Sequence, residues 1–377
     1  MDHEKYMKIA IDEAEKGRGW TNPNPIVGAV IVKDGQIISK GYHKRYGDLH
    51  AERNAINECK ENLEGATLYV TLEPCCHYGK TPPCTDAIIE NKIGTVVIGS
   101  NDPNPLVAGK GIELLREHGI KVISEVLKAE CDSINEIFFH YIITKTPYVV
   151  MKYAMTADGK IATYTGASKW ITGEKAREHV HQSRHHYAAI MVGIQTVIED
   201  NPMLNCRRMS SSSNKNEEII SNNPIRIICD TNLRTPLNSN CIKTANYIET
   251  MIATSCNDVK IQKPYIESGC KIICVEKKGD HINLEQLMQR LGELKIDSIL
   301  LEGGADLNFS ALQAGIVNKV QAYIAPKIFG GKASKTPVGG VGVEIPDEAV
   351  LLKNQKITLL ENDILIEWEV DNVYRNR

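Results

Sequence analysis

The sequence predicts an α/β protein of two domains, and three observations carry that expectation. The 377 residues exceed one ordinary domain, at about 150 residues per domain. Apolar runs of strand character alternate with segments of helical period, which implies parallel strands with helices on both faces of a sheet. The alternation pauses at Thr144-Lys145-Thr146-Pro147 and restarts with a strand, so the expected domains are 1–145 and 146–377.

In the first domain, Asp2 to Glu15 reads as an amphipathic helix, with Tyr6, Ile9, Ala10 and Ala14 on one side and Gly17 as its stop. Asn22-Pro23-Asn24-Pro25 is a proline-stiffened loop. Asn22 and Asn24 suit either turn formation or reading the edge of a heterocycle, and the residues do not choose between these. A strand from Ile26 to Val32 meets its return, Ile37 to Gly41, through the hairpin signal Asp34-Gly35. A helix carrying Glu52, Ala55, Ile56 and Cys59 follows, then strands Ala66 to Leu72 and Thr95 to Gly99. A helix from Gly109 to His118, a strand from Lys121 to Val126 and a helix from Ala129 to Ile143 complete the domain. Ligands of such sheets sit at strand carboxyl ends, where Pro74-Cys75 and Asn101-Asp102 fall.

The chemistry concentrates between Leu49 and Cys84. His50-Ala51-Glu52 precedes Pro74-Cys75-Cys76-His77-Tyr78-Gly79-Lys80-Thr81-Pro82-Pro83-Cys84. One imidazole and two thiolates leave a fourth zinc position for water, the arrangement of a reacting rather than a structural zinc. H-x-E followed by P-C-x-x-C marks zinc-dependent base deaminases; here the second cysteine falls nine positions on. Singly these residues are ordinary: a histidine caps helices, and intracellular cysteines are mostly small buried hydrophobes. Together they select His50, Cys75 and Cys84 as ligands and Glu52 as proton carrier. Cys76 and His77 adjoin Cys75, and His77 reads as a pocket residue. Cys75 follows a proline and is expected to open a helix, as is Cys84. Residues two apart do not share a helix face, so His50 and Glu52 must sit where the chain enters its helix.

The second domain restarts with a strand from Tyr148 to Ala154 and a hairpin-like turn at Thr156-Ala157-Asp158-Gly159-Lys160. Ser168 to Gly173 is a loop leading into a helix from Glu174 to His186. A strand from Ala188 to Val192 and a run through Asp200-Asn201-Pro202 to Leu204 follow. Met209 to Asn223 is rich in Ser and Asn and reads as a solvated loop. Further strands are expected at Ile225 to Cys229, Met251 to Ala253, Lys271 to Val275 and Ser298 to Leu301. Helices are expected at Leu284 to Leu294 and Asp306 to Ala314, before a β-rich tail from Gln321. No G-x-G-x-x-G follows the first strand, so the ordinary dinucleotide fingerprint is absent. Gly303-Gly304 at a strand-to-helix junction suits a phosphate, although such pairs also serve turns alone.

Composition narrows the class. Lys+Arg 44 against Asp+Glu 47 gives a net charge of −3, which argues against a nucleic-acid partner. No apolar run approaches the ~20 residues of a membrane helix, and Met1 to Lys5 shows no apolar leader. Eleven irregularly spaced cysteines read as reduced thiols in a cytoplasmic protein.

These residues resemble one family, the bifunctional deaminase/reductases of riboflavin biosynthesis. The resemblance rests on His50-Ala51-Glu52 with Pro74 to Cys84, then on Lys152 to Lys160, Ser168-Lys169-Trp170-Ile171-Thr172, Asp200 to Asn205, Leu301-Glu302-Gly303-Gly304 and Pro326 to Gly331. It implies a cytidine-deaminase-like α/β/α first domain and a dihydrofolate-reductase-like α/β second domain. It implies zinc-dependent loss of the 2-amino group of 2,5-diamino-6-ribosylamino-4(3H)-pyrimidinone 5′-phosphate. NADPH then reduces the ribosyl group of the product to ribityl. By the family pattern Ala154, Trp170, Thr196, Asp200, Thr231, Gly304, Ala305, Asp306, Leu307 and Asn308 contact NADPH. Ser168, Arg184, Leu204, Arg207 and Glu302 contact substrate by the same pattern; Asn24 is a substrate candidate from its loop position alone, beside its turn-forming reading.

Arg184 and Arg207 suit a ribose phosphate, although most arginines are solvated surface charges. Lys152 and Asp200 are candidates for proton handling, and Asp200 before Asn-Pro also suits a turn. Two rivals stand beside this reading. One is a transfer-RNA deaminase with the same zinc chemistry; the other is a binding module built on a structural zinc, which normally has four protein ligands. The partner expected is a small pyrimidine ribotide, with no nucleic acid and no membrane, and the chain is expected to form a homo-oligomer.

Overall fold

The computed structural model describes residues 2–79, 81–104, 107–207 and 222–371. Two compact units divide the chain, Met1–Lys145 and Thr146–Arg377. Most of the expected Met209–Asn223 loop lies outside the described residues.

The first unit begins with α1 (His3–Glu15), β1 (Gly28–Lys33), β2 (Gln36–Tyr42), α2 (Ala51–Glu58) and β3 (Thr67–Leu72). It continues through α3 (Cys84–Glu90), β4 (Thr95–Ser100), α4 (Lys110–Glu117), β5 (Lys121–Ile123), α5 (Lys128–Ile134) and α6 (Glu136–Thr144). Its five strands lie in the order β2-β1-β3-β4-β5. The sheet is mixed: β3, β4 and β5 are parallel, whereas β1 is antiparallel to both its neighbours. Asp34 and Gly35 turn the β1–β2 hairpin with φ of 50° and 77°, the left-handed pair that tight hairpins need. Side-chain alternation sends Ile31, Leu68 and Ile98 into one apolar layer with Ala55, Ile88 and Leu115. Val30, Tyr69 and Val97 face the other layer, against Tyr6, Met7 and Ala10 of α1. Gly28 permits that contact, since a Cβ there would collide with the Ala10 carbonyl.

Two expectations fail here. The single helix from Ala129 to Ile143 is two helices, broken at Asn135 with φ −118° and ψ 20°. The buried Asn135 amide accepts from Ile26 N at 3.0 Å and donates to Ile26 O at 2.9 Å, completing a strand-like pairing that a continuous helix does not make. Cys75 opens no helix. It lies in an irregular segment after β3, where its carbonyl accepts from the Cys84 and Thr85 amides at 3.0 and 3.2 Å.

The second unit runs β6 (Tyr148–Thr156), α7 (Glu174–His186), β7 (Ala189–Gly193), α8 (Ile194–Asp200), β8 (Ile225–Cys229) and α9 (Asn240–Lys243). Then come β9 (Thr250–Thr254), α10 (Val259–Glu267), β10 (Lys271–Cys274), β11 (Lys277–Lys278), β12 (His281–Ile282) and α11 (Leu284–Glu293). The unit ends with β13 (Ser298–Leu301), α12 (Ala305–Gln313), β14 (Val317–Ala325), β15 (Leu352–Leu360) and β16 (Asp363–Val370). Nine strands form one sheet, β10-β9-β8-β7-β13-β6-β14-β16-β15. It is parallel from β10 to β14, with β16 antiparallel to β14 and β15. The Thr156–Lys160 turn forms, closed by Thr156 N to Lys160 O at 2.9 Å, but no strand returns from it. The Asp158 carboxylate instead accepts from the Phe329 and Gly330 amides, tying the turn to the loop after β14. Among the described residues no helix is long and apolar enough to cross a membrane.

Candidate metal centre and cofactor cleft

In the first unit, two helix starts and one loop converge. His50 is the extended N-cap residue of α2, with φ −71° and ψ 165°. That entry geometry lets His50 and Glu52 serve one site despite their spacing. Cys84 is the first residue of α3, and Cys75 stands on the loop after β3. His50 Nδ1 lies 3.4 Å from each sulfur, and the three ligand atoms fall within 4.8 Å of one another. Tetrahedral zinc holds sulfur at ~2.3 Å and nitrogen at ~2.0 Å, which places such donors about 3.5 Å apart. The donor set and its spacing therefore fit zinc. Neither Cys76 nor His77 joins this group.

Charge within the group is unevenly held. The hydrogen bond from Cys84, with help from His50, brings the Cys75 thiol down to about 4. The Cys84 thiol is pushed up by that same contact and by burial. Glu52 is 3% exposed, and burial raises its carboxyl to about 7 against the pull of His50.

A cavity of about 260 Å³ opens beside Glu52 and His50, and Asn24, His43, His77 and Asp102 line it. Leu49 O can only accept, so the 3.1 Å contact puts the proton of buried His43 on Nδ1. His43 Nε2 then accepts from Asn24 Nδ2 at 3.2 Å, leaving the Asn24 carbonyl oxygen for a ligand. Burial keeps His43 below its usual value. Burial also pushes the Asp102 carboxyl up to about 6. Sequence reading missed His43, because nothing in its spacing ties it to the motif.

The metal-bearing loop is pinned from behind. The buried Glu73 carboxylate accepts from the amides of Gly109 at 3.0 Å, Gly111 at 3.1 Å, Ile112 at 3.3 Å and Asp102 at 3.4 Å. An anion at the start of α4 is well placed for the helix dipole.

In the second unit, a cleft of about 1430 Å³ lies at the carboxyl ends of β6, β7, β8 and β13. It brings together Lys152, Ala154, Ser168, Thr196, Asp200, Thr231, Glu302 and Gly304 to Asn308. Gly303 and Gly304 have φ of 106° and 45°, conformations that favour glycine. They leave the α12 amino end open, the nearest atom to a Cβ on Gly304 being Thr196 Oγ1 at 3.6 Å. Asp200 ends α8 before the left-handed Asn201, so its turn-forming and cleft-lining readings both hold.

Four expected residues are not among those lining the cleft. Trp170 is 65% exposed, its ring under the Arg177 guanidinium. The Leu204 side chain packs in the core with Ile190 and Ile228. Arg207 is exposed, its amide donating to His181 Nδ1 at 3.1 Å. Arg184 does not line the cleft, and its fork is engaged by Glu302 and by Asn205 O. A guanidinium this buried must be neutralised locally.

Two protein-family models match the chain, the cytidine and deoxycytidylate deaminase zinc-binding region over residues 1–100 and the RibD C-terminal domain over residues 147–366. The riboflavin biosynthesis protein RibD of Actinobacillus pleuropneumoniae is 54% identical over 365 residues, covering 97% of this chain and 94% of the relative. The chain belongs to the RibD family. RibD of Escherichia coli is 39% identical over 88% of this chain and 90% of its own length. Among solved structures, Acinetobacter baumannii RibD superposes with a TM-score of 0.86 at 33% identity, covering 98% of this chain and 99% of that one. A deaminase/reductase from Thermotoga maritima gives 0.82 at 38% identity with the same coverage. The chain is accordingly an enzyme of riboflavin biosynthesis, a deaminase and a reductase that uses zinc and NADPH. Its two folds are cytidine-deaminase-like and dihydrofolate-reductase-like. The transfer-RNA deaminase alternative is not favoured.

Proposed function

We propose that the first unit deaminates 2,5-diamino-6-ribosylamino-4(3H)-pyrimidinone 5′-phosphate and that the second reduces the ribosyl group of the resulting aminouracil to ribityl. The observation that carries the reading is the His50, Cys75 and Cys84 triad with buried Glu52 at its side. The Thermotoga relative bears the matching name, diaminohydroxyphosphoribosylaminopyrimidine deaminase/5-amino-6-(5-phosphoribosylamino)uracil reductase. Zinc, when bound by the triad, supplies an activated water at neutral pH. Glu52 is placed to carry two protons in turn, the first from the attacking water to the ring nitrogen and the second from the added hydroxyl to the amine, which leaves as ammonia. Asn24, oriented by His43, reads the heterocycle edge.

NADPH supplies hydride in the second unit, and the chain holds the cofactor against the C1′ carbon of the opened ribose. Gly304 to Asn308 cradle its phosphates at the start of α12. Lys152 lies 3.6 Å from Glu302 and is the candidate for proton handling at the sugar. Arg207 and Arg184 serve the ribose phosphate, and Arg184 also grips Glu302. A free ribotide rather than a nucleic acid suits the net charge of −3. Exposed Ile357 and Leu359 on the edge strand β15 favour a homo-oligomer. Eleven free thiols suit a cytoplasmic enzyme.

The test is ammonia release from the diaminopyrimidine ribotide by wild type and Glu52→Gln. The variant is expected to retain zinc and the reductase step while deamination falls by about 10²-fold or more. Near-normal ammonia release would remove Glu52 from the reaction.

A further inference from the structure

The loop after β8 presents an arginine to the cofactor cleft for which the deaminase and reductase assignments give no use. Thr231, Asn232 and Arg234 line the cleft. Arg234 is exposed, and among the described residues no carboxylate pairs with it. The loop beneath it is rigidly built. Asp230 Oδ2 accepts from Thr235 N and Thr235 Oγ1, both at 2.7 Å. The Tyr265 hydroxyl is shared between Leu233 O at 3.0 Å and Thr235 O at 2.8 Å. Buried Leu233, with φ 53°, turns the chain so that Arg234 faces outward. Thr254 Oγ1 and Ser255 N hold the Thr231 carbonyl at 3.0 and 3.1 Å.

An exposed arginine facing the cofactor's adenosine ribose suits a 2′-phosphate, because its planar fork of donors matches phosphate oxygens. The nearby acid Asp230 is 0% exposed and turned onto Thr235. It does not line the cleft, so Arg234 is the charged group that this loop presents there.

Sheet order fixes which part of the cofactor this loop meets. The open start of α12 after β13 receives the pyrophosphate. Lys152 on β6 and Glu302 after β13 mark the reacting end. β8 lies on the other side, beyond β7, two strand spacings or ~10 Å from β13, where the adenosine half must extend. The unpaired lysines of the cleft, Lys160 and Lys332, follow β6 and β14 toward the opposite end, and Lys335 is held by Glu199.

We propose that Arg234 selects NADPH over NADH by pairing its guanidinium with the adenosine 2′-phosphate. The inference rests on reading this cleft as the cofactor site, and the experiment separates the two.

NADPH and NADH are titrated separately into the full-length protein, following cofactor fluorescence, for wild type, Arg234→Ala, Arg234→Lys and Gly304→Val. Losing a bidentate phosphate fork is expected to weaken NADPH by about 10- to 100-fold. NADH binding by Arg234→Ala is expected to stay within about two-fold, because 0.4 kcal/mol or so is all that change represents. Arg234→Lys, which keeps charge without the fork, falls between. Adenosine 2′,5′-bisphosphate is expected to displace NADPH from wild type and to lose that ability with Arg234→Ala, while 5′-AMP competes equally in both. Unchanged NADPH affinity, or equal loss for NADPH and NADH, overturns the assignment. If Gly304→Val alone loses both cofactors, the cleft stands and Arg234 is excluded. If neither variant alters either cofactor, the cleft reading falls as well. Should Arg234→Ala melt early, Arg234→Lys carries the same comparison.

Discussion

Arg184 grips Glu302 with two nitrogens, Nε to Oε1 at 2.6 Å and the terminal nitrogen to Oε2 at 2.9 Å. Lys152 approaches the same carboxylate at 3.6 Å. Burial alone would raise the Glu302 carboxyl, but Arg184 and Lys152 outweigh it and bring it down to about 2. The depressed folded value means Glu302 adds stability that is fully present above its unfolded value near 4.5 and is lost as pH falls toward 2. Glu302→Gln leaves two buried cations without their anion. The expected cost is about 3–5 kcal/mol, read by denaturant unfolding at neutral pH. Stability between pH 4.5 and 2 should fall less steeply in the variant than in wild type. An equal slope would mean that Glu302 is not held ionised.

The metal ligands can be separated from their neighbour by substitution. Cys75→Ser and Cys84→Ser should lose most bound zinc, since each removes one of three converging donors. Cys76→Ser should keep it, because Cys76 lies outside the group. Metal analysis of the purified variants decides the point. Retention by Cys84→Ser with loss from Cys76→Ser would require a different ligand set.

Gly304 in the cleft and Arg207 outside its lining should respond separately. Gly304→Val forces a branched side chain onto φ 45° at the start of α12, and a weaker NADPH affinity is expected, by about ten-fold or more. Arg207→Ala should instead raise KM for the phosphorylated substrate and spare NADPH. Steady-state rates with each ligand varied in turn distinguish them. An effect of Arg207→Ala on cofactor alone would remove it from the sugar phosphate.

Asn135→Ala deletes both hydrogen bonds to the Ile26 backbone and leaves two buried groups unsatisfied. The first unit should lose roughly 2–4 kcal/mol, measured by urea unfolding. Wild-type stability would show that water replaces the amide.

What the sequence disclosed and what it hid follow physical lines. Helices with strong period and clear stops, such as α1 and α7, lie within a residue or so of expectation. α10 was missed because Pro264 stands inside it and reads as a breaker. The α5–α6 break depends on Ile26, 109 residues away, and local pattern cannot report such a partner. The zinc triad was legible because each ligand type is costly to place idly near two others. The loop geometry of Cys75 was not, since its anchors are the amides of a later helix. The pairing of Arg184 with Glu302 was hidden for the same reason: which group an arginine meets is decided by its neighbours in space.

Glu73 gives the zinc site a property of a different kind. Three amides at the start of α4 and that of Asp102 after β4 hold the residue two before Cys75 without any help from the metal. The loop is therefore cast before it is loaded. Stripping zinc with a chelator is expected to leave this anchor standing, so that the ion returns into a seat already in part formed rather than by gathering a slack chain around itself.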